Sequence, residues 1–304
     1  MSNIQNLNGL LLAWHGVDGD NRIFRARVEG FNGTPPTRWS PNHADGASCA
    51  APALDNSGQL DTIEASIGLT SPSAITLKKL NAAGAGAGPS VPPSFTSTTR
   101  PAIASQAGHL TLAWRRPDGA LAWASQSGAG WTPAQVAGRT SHGPALATDN
   151  TRRVMAWKVD NGAQINGSVA GGGEQPMRAS QGAIQTSDAP ALCGAGNGFV
   201  MAWKGVPGDE RIWWSRSADG LNWETPREAM PQDGGIRTIA APAIAVWRFG
   251  YVLVWRGVSG DQRLWWSRLS FNSAGGRWAT PQVVDAADSS NSSPSLASYS
   301  IATL

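Results

Sequence analysis

Two stretches decide the fold: PALCGAGNGFVMAWKGVPGDERIWWSRSADGLNWETP at 190–226 and PAIAVWRFGYVLVWRGVSGDQRLWWSRLSFNSAGGRWATP at 242–281. They share one frame. Each opens Pro-Ala-aliphatic and runs into an apolar segment ending Trp-basic-Gly. A G-D-x-R-aliphatic-W-W-S-R segment follows, then a turn and W-x-x-P. In 199–204 the residues Phe199, Met201 and Trp203 alternate with the rest, the period of two expected of a strand.

The frame recurs along the chain. Residues 101–133 supply PAIA, LTLAWRRPDG, ALAWAS and GWTP, and 144–162 supply PALA and RVMAWKVDNG. Residues 10–27 read LLLAWHGVDGDNRIFRAR, and the faintest copy runs from Pro52 through LDTIEASIG (60–68) and AITLKKL (74–80). Its second-segment markers fall at Trp14, Ala65, Trp114, Trp157, Trp203 and Trp255, spaced 43 to 52 residues apart. Six copies of four short alternating segments at this period define the blades of a β-propeller. The expected fold is all-β: a six-bladed β-propeller of four-stranded antiparallel blades, with residues 1–304 forming a single domain. The first copy lacks its own Pro-Ala strand, and PSLASYS at 294–300 supplies one. The ring should therefore close by this C-terminal strand pairing into the N-terminal blade, leaving no bare inner edge. The alanines after proline (Ala53, Ala102, Ala145, Ala191, Ala243) suit a crowded axis. Proline at a strand's first residue withdraws nothing from the ladder.

Composition agrees. Charged residues are 15% of the chain, Gly numbers 36, Pro 20 and Trp 15. Such a chain makes tight turns and fills its interior with indoles. The net charge of +3 without any Lys/Arg-rich run predicts no nucleic-acid partner. Cys49 and Cys193 fit no metal or redox spacing, fall in different copies, and read as two small buried thiols. The four histidines show no metal spacing, so no metal and no cofactor are expected. The opening MSNIQNLNGLLLAWHG has no basic n-region and no apolar run long enough to span a bilayer. This predicts a soluble chain, cytoplasmic or released without a classical signal peptide, with no membrane insertion. Residues 81–99 are rich in Ala, Gly, Ser, Pro and Thr and read as a long loop.

The turn Ser217-Ala-Asp-Gly-Leu-Asn-Trp223 resembles a shortened Asp-box of the bacterial-neuraminidase type. Blade length and strand order resemble the six-bladed fucose-lectin family of fungi and bacteria, over nearly the whole chain. That resemblance implies a carbohydrate-binding propeller. The chain departs from the sialidase pattern, because Asn21-Arg-Ile-Phe24 has no proline and no arginine triad is legible. It departs from the fucose lectins in carrying Trp214 and Trp266 where that family places a Glu. Together these point to a glycan lectin, with no particular sugar, fucose included, indicated by the sequence.

The loop between the second and third segments carries the candidate site: HGVDGDNR (15–22), KGVPGDER (204–211) and RGVSGDQR (256–263). Cations at strand ends, beside indoles, match sugar hydroxyls and carboxylates with forked donors and apolar C–H faces with a π surface. The expected sugar-binding residues are Arg22, Lys204, Asp209, Arg211, Trp213, Arg256, Asp261, Arg263 and Trp265. An opposing reading has each Asp (Asp20, Asp209, Asp261) merely tying down its turn and pairing with a neighbouring base, with Arg22, Arg211 and Arg263 serving the same local staple. The function read from the sequence is a multivalent lectin without catalytic residues, binding glycans or glycoconjugates. The alternatives are a protein-interaction scaffold or a sialidase-like glycoside hydrolase.

Overall fold

The structure is a computed structural model. It describes residues 7–28, 39–40, 42–50, 52–55, 62–69, 72–81, 84–87, 90–92, 94–149, 151–194, 196, 198–231, 234–247, 250–272 and 275–300. Six sheets, each built on a four-stranded antiparallel blade, stand around an axis. From inside outward, blade 1 is Ser295–Ser300, Leu7–His15, Arg22–Val28 and His43–Ala47, and blade 2 is Ala53–Leu54, Thr62–Ile67, Ser73–Asn81 and Gly84–Ala87. Blade 3 is Ala102–Gln106, His109–Arg115, Ala120–Ser127 and Gly130–Trp131. Blade 4 is Ala145–Thr148, Arg153–Lys158, Ile165–Val169 and Gln175–Pro176. Blade 5 is Ala191–Gly194, Phe199–Lys204, Ile212–Ser217 and Asn222–Trp223. Blade 6 is Ala243–Trp247, Gly250–Arg256, Leu264–Asn272 and Gly275–Trp278. The inner strands neighbour one another in ring order, with blade 6 against blade 1.

Ring closure is as the sequence implies. The C-terminal strand pairs with the first strand of the chain, Leu10 opposite Ser298 and Ala13 opposite Ser295. Residues 81–99 differ from expectation. They contain an outer strand, Gly84–Ala87, paired with the end of the third strand, and a short segment, Thr96–Ser97. This outer strand pairs with its neighbour through the backbone ladder, which a Gly/Ala stretch can supply, and its composition disguises it as a loop. Cys49 is half-buried rather than buried, and Cys193 is fully buried with its thiol pushed up by burial.

The core is divided among the seams between blades. The second-strand tryptophans Trp14, Trp114, Trp157, Trp203 and Trp255 are all nearly solvent-free. Truncating such a residue to Ala costs about 3–5 kcal/mol. Blades 5 and 6 bury Trp214, Trp255 and Trp278 together, and blades 6 and 1 bury Trp14, Trp39 and Trp266. The seam between blades 1 and 2 is the thinnest: Leu11, Ala13, Leu54, Leu80 and Ala297. There Arg25 stands on the third strand where blades 5 and 6 carry Trp214 and Trp266. Its Nε and Nη2 each donate over 2.7 Å to Glu64, which is solvent-free.

One device recurs in nearly every seam. A buried Ser or Thr lies four residues before each inner-strand proline: Ser48, Ser97, Thr140, Thr186, Thr238 and Ser290. In five seams its hydroxyl donates to the carbonyl of the residue following the second-strand Trp. The acceptors are Arg115, Lys158, Lys204, Arg256 and His15, at 2.7–3.1 Å. In these five blades the entering connection is thus fastened to the blade's own second strand.

Candidate functional site

The three G-D-x-R loops fold identically, for reasons visible residue by residue. Val206-Pro207-Gly208-Asp209 is a β-turn closed by Asp209 N–H donating to Val206 O at 2.8 Å. Gly208 sits at φ +88, where a side chain would be strained. The first glycine of the motif serves a different purpose. A Cβ on Gly205 would lie 2.3 Å from the Asp209 carboxyl carbon, so its absence lets the aspartate fold back over the strand end. Gly257 and Gly260 stand in the same relations to Asp261, and Gly16 and Gly19 to Asp20.

The aspartate then gathers every nearby donor. Asp209 Oδ1 accepts the backbone N–H of Arg211 at 3.0 Å and its Nε–H at 2.8 Å. Oδ2 accepts Nη2–H at 3.0 Å and the Trp213 indole N–H at 3.1 Å. The guanidinium lies over the Trp213 ring, 4.7 Å from its centroid. Blade 6 repeats this with Asp261, Arg263 and Trp265, the guanidinium 4.8 Å above the indole. Blade 1 does so with Asp20, Arg22 and Phe24, the ring lacking an N–H. The bonds from Arg211 and Arg22 hold the Asp209 and Asp20 carboxyls down at about 2, and Arg263 holds Asp261 below its usual range.

The structure therefore groups the expected residues into three staples on consecutive blades 5, 6 and 1. The aspartates are consumed within the staples, as the opposing reading held. The arginines are not. Their side chains remain 41% (Arg211), 48% (Arg263) and 63% (Arg22) exposed, locked on one edge by the aspartate and flat on an aromatic ring. Period-two alternation separates the paired tryptophans. Trp213 and Trp265 are half-exposed, whereas Trp214 and Trp266 are buried.

Lys204 and Arg256 lie apart from the staples, at the seam. Lys204 is nearly buried and its ammonium donates to Ser187 Oγ at 2.8 Å. The buried Arg256 Nε–H has no acceptor among the described residues. Blade 5 adds a residue outside the repeat frame, Arg237. It forms an isolated bridge opposite Arg211 and donates Nη1–H to Glu228 at 2.8 Å, while Arg211 Nη1 stands 3.8 Å from the same carboxylate. Lys204, Glu210, Arg211 and Arg237 line an open pocket of about 540 Å³, within the range of small-ligand sites.

The Asp-box-like turn lies on the opposite face, between third and outer strands. Ser217 Oγ donates to Asn222 O at 2.6 Å, Asp219 Oδ1 accepts the N–H groups of Leu221 and Asn222, and Gly220 has φ +88. Its side-chain bonds are internal to the turn, and Leu221 O accepts the Arg178 N–H at 3.0 Å, tying the turn to the segment at 178–179, which marks it as a fastening.

No protein-family model matches the chain, and no curated protein matches it in sequence. Solved structures do match in fold. A lectin of Aleuria aurantia in complex with α-methyl-L-fucoside superposes with TM-score 0.64 at 13% identity, over 94% of this chain and 97% of that one. The SapL1 lectin, also in complex with α-methyl fucoside, gives 0.63 at 12%, over 94% and 100%. AofleA of Arthrobotrys oligospora, in a mutant form, gives 0.60 at 12%, over 99% and 92%. At these identities the likeness establishes the six-bladed propeller fold.

Proposed function

We propose that this chain is a multivalent carbohydrate-binding lectin whose sites are the three staples on blades 5, 6 and 1, and that it has no catalytic activity. The observation that carries the reading is the pre-set arginine. Each guanidinium is fixed by an aspartate, stacked on an aromatic ring and left open on its outer edge. A sugar can take donors from that edge while its C–H face meets the half-exposed Trp213 or Trp265. The pocket beside Arg211 and Arg237 gives blade 5 the fullest site. The Aleuria aurantia and SapL1 lectins, which share this fold, were solved in complex with a fucoside, which supports the same class of ligand here. Three weak sites on one protein bind a glycan-bearing surface together through their effective concentration.

The staples argue against hydrolysis. A glycosidase acid must hold its proton near neutrality, whereas Asp20 and Asp209 are pushed the other way. Asp288 is pushed up by burial, but its residue is 1% exposed and beyond reach of a substrate. The test is a glycan array run with the wild type and with Arg211→Ala/Arg263→Ala, both checked by thermal unfolding. Binding by the wild type that is lost in the double variant, without loss of fold, supports the proposal. A wild type that binds no glycan, or a variant that binds unchanged, overturns it.

A further inference from the structure

The axis of the ring carries a charge that the sugar sites do not use. Where the inner strands begin, the Pro-Ala-aliphatic segments of five blades and Pro294-Ser295-Leu296 of the closing strand surround a cavity of about 60 Å³. The wall is apolar except for Ser295 and one residue without counterpart in the other copies, Arg100. It reaches from blade 3 to the closing strand, donating Nη1–H to Pro294 O at 2.8 Å and to Ser295 Oγ at 3.4 Å. Both acceptors are neutral. Among the described residues none takes the Nε–H or Nη2 hydrogens, and no carboxylate lies within ion-pair distance. Burial disfavours its charge, and Asp188 acts on it only through space.

The surroundings reinforce the sign. The cations after the second-strand tryptophans are fastened round the same face by neutral oxygens. Arg115 donates to Thr140 O and Thr98 Oγ1, Lys158 to Ser141 Oγ, and Lys204 to Ser187 Oγ. His142, whose Nδ1 meets Ser141 Oγ at 2.9 Å, stands 3.8 Å from Asp188. Asp188 is the carboxylate that faces both Arg100 and His142. Fixed cations in a low-dielectric funnel concentrate anions, and a guanidinium presents paired donors to an oxyanion.

We propose that the head of the axial cavity binds a small oxyanion (sulfate, phosphate or a short carboxylate) on Arg100. The volume sets the class. It is well below the ~150 Å³ that admits benzene, which favours a small anion over a sugar ring. The site is separate from the staples and stands whether or not they bind glycans.

Equilibrium dialysis with radiolabelled sulfate tests it on the full chain, with phosphate and acetate as competitors to distinguish the sources. The expectation is one sulfate per chain, with affinity weakened about tenfold or more in Arg100→Met. Wild type that binds none of the three anions, or Arg100→Met that binds as tightly, overturns the proposal. Should Arg100→Met fail to fold, wild-type crystals soaked in selenate decide. An anomalous peak within hydrogen-bond distance of the Arg100 guanidinium supports the site, and its absence there refutes it.

Discussion

Thr238→Val isolates the seam fastening, because valine keeps the shape of threonine and deletes only its hydroxyl. That hydroxyl is fully buried, donates to Arg256 O at 2.7 Å and accepts the Ala240 N–H at 3.1 Å. Removing it strands one carbonyl and one amide. A buried polar group left without a partner costs about 1–3 kcal/mol. Allowing for some relaxation, Thr238→Val should lose about 2–4 kcal/mol. Thr238→Ser keeps both bonds and removes one methyl, a loss of about 1 kcal/mol. Urea denaturation followed by tryptophan fluorescence measures both, provided the m-value is unchanged. If the valine variant proves no less stable than the serine variant, the hydroxyl is not what fastens blade 5's connection to blade 6.

Two further outcomes follow from the seams. Glu64→Leu alone should destabilise the chain by about 3–5 kcal/mol, because it removes the buried carboxylate that takes both the Nε–H and the Nη2–H of Arg25 in the thinnest seam. The double variant Arg25→Met/Glu64→Leu should recover most of that in the same urea assay; a double variant as unstable as the single one would contradict this. Asp288→Asn should raise the Tm at pH 7. The Asp288 carboxyl is pushed up in the fold, so the folded state binds its proton more tightly than the unfolded state. Stability from this group is therefore fully present at acid pH and falls as pH rises through the folded pKa. The gain in Tm should vanish near pH 4, and a gain independent of pH would show the wrong cause.

Much of the ring was legible because its determinants repeat. The Trp after each alternating run and the Pro-Ala after each connection recur in register, and the missing first strand has an obvious donor at 294–300. The turn chemistry of the G-D-x-R loops was legible too, since two glycines and an aspartate at fixed spacing have few ways to fold. What escaped reading did so for physical reasons. The hydroxyl fastening spans the clearest copies as Thr140, Thr186 and Thr238. Ser and Thr are so common near turns that a four-residue offset from proline carries meaning only once its acceptor is seen. Arg25 and Glu64 lie 39 residues apart, and nothing local announces that two charges will meet in a dry seam. Arg237 sits on a connection outside the repeat frame, and Arg100 looks like an ordinary polar residue before a proline until the axis closes round it.

The staples fall on blades 5, 6 and 1, consecutive members of the ring, while blades 2, 3 and 4 show none among the described residues. If the staples grip sugars as proposed, a disc with grips along half its rim does not settle flat on a sugar-coated surface. It leans, engaging by one arc and lifting the other away. The raised half, with its Gly/Ala-built blade edge, stays clear of the surface and accessible from solution. A cell coat or particle decorated by this protein would accordingly present one preferred side outward, a handedness of attachment that a lectin with six equal grips does not have.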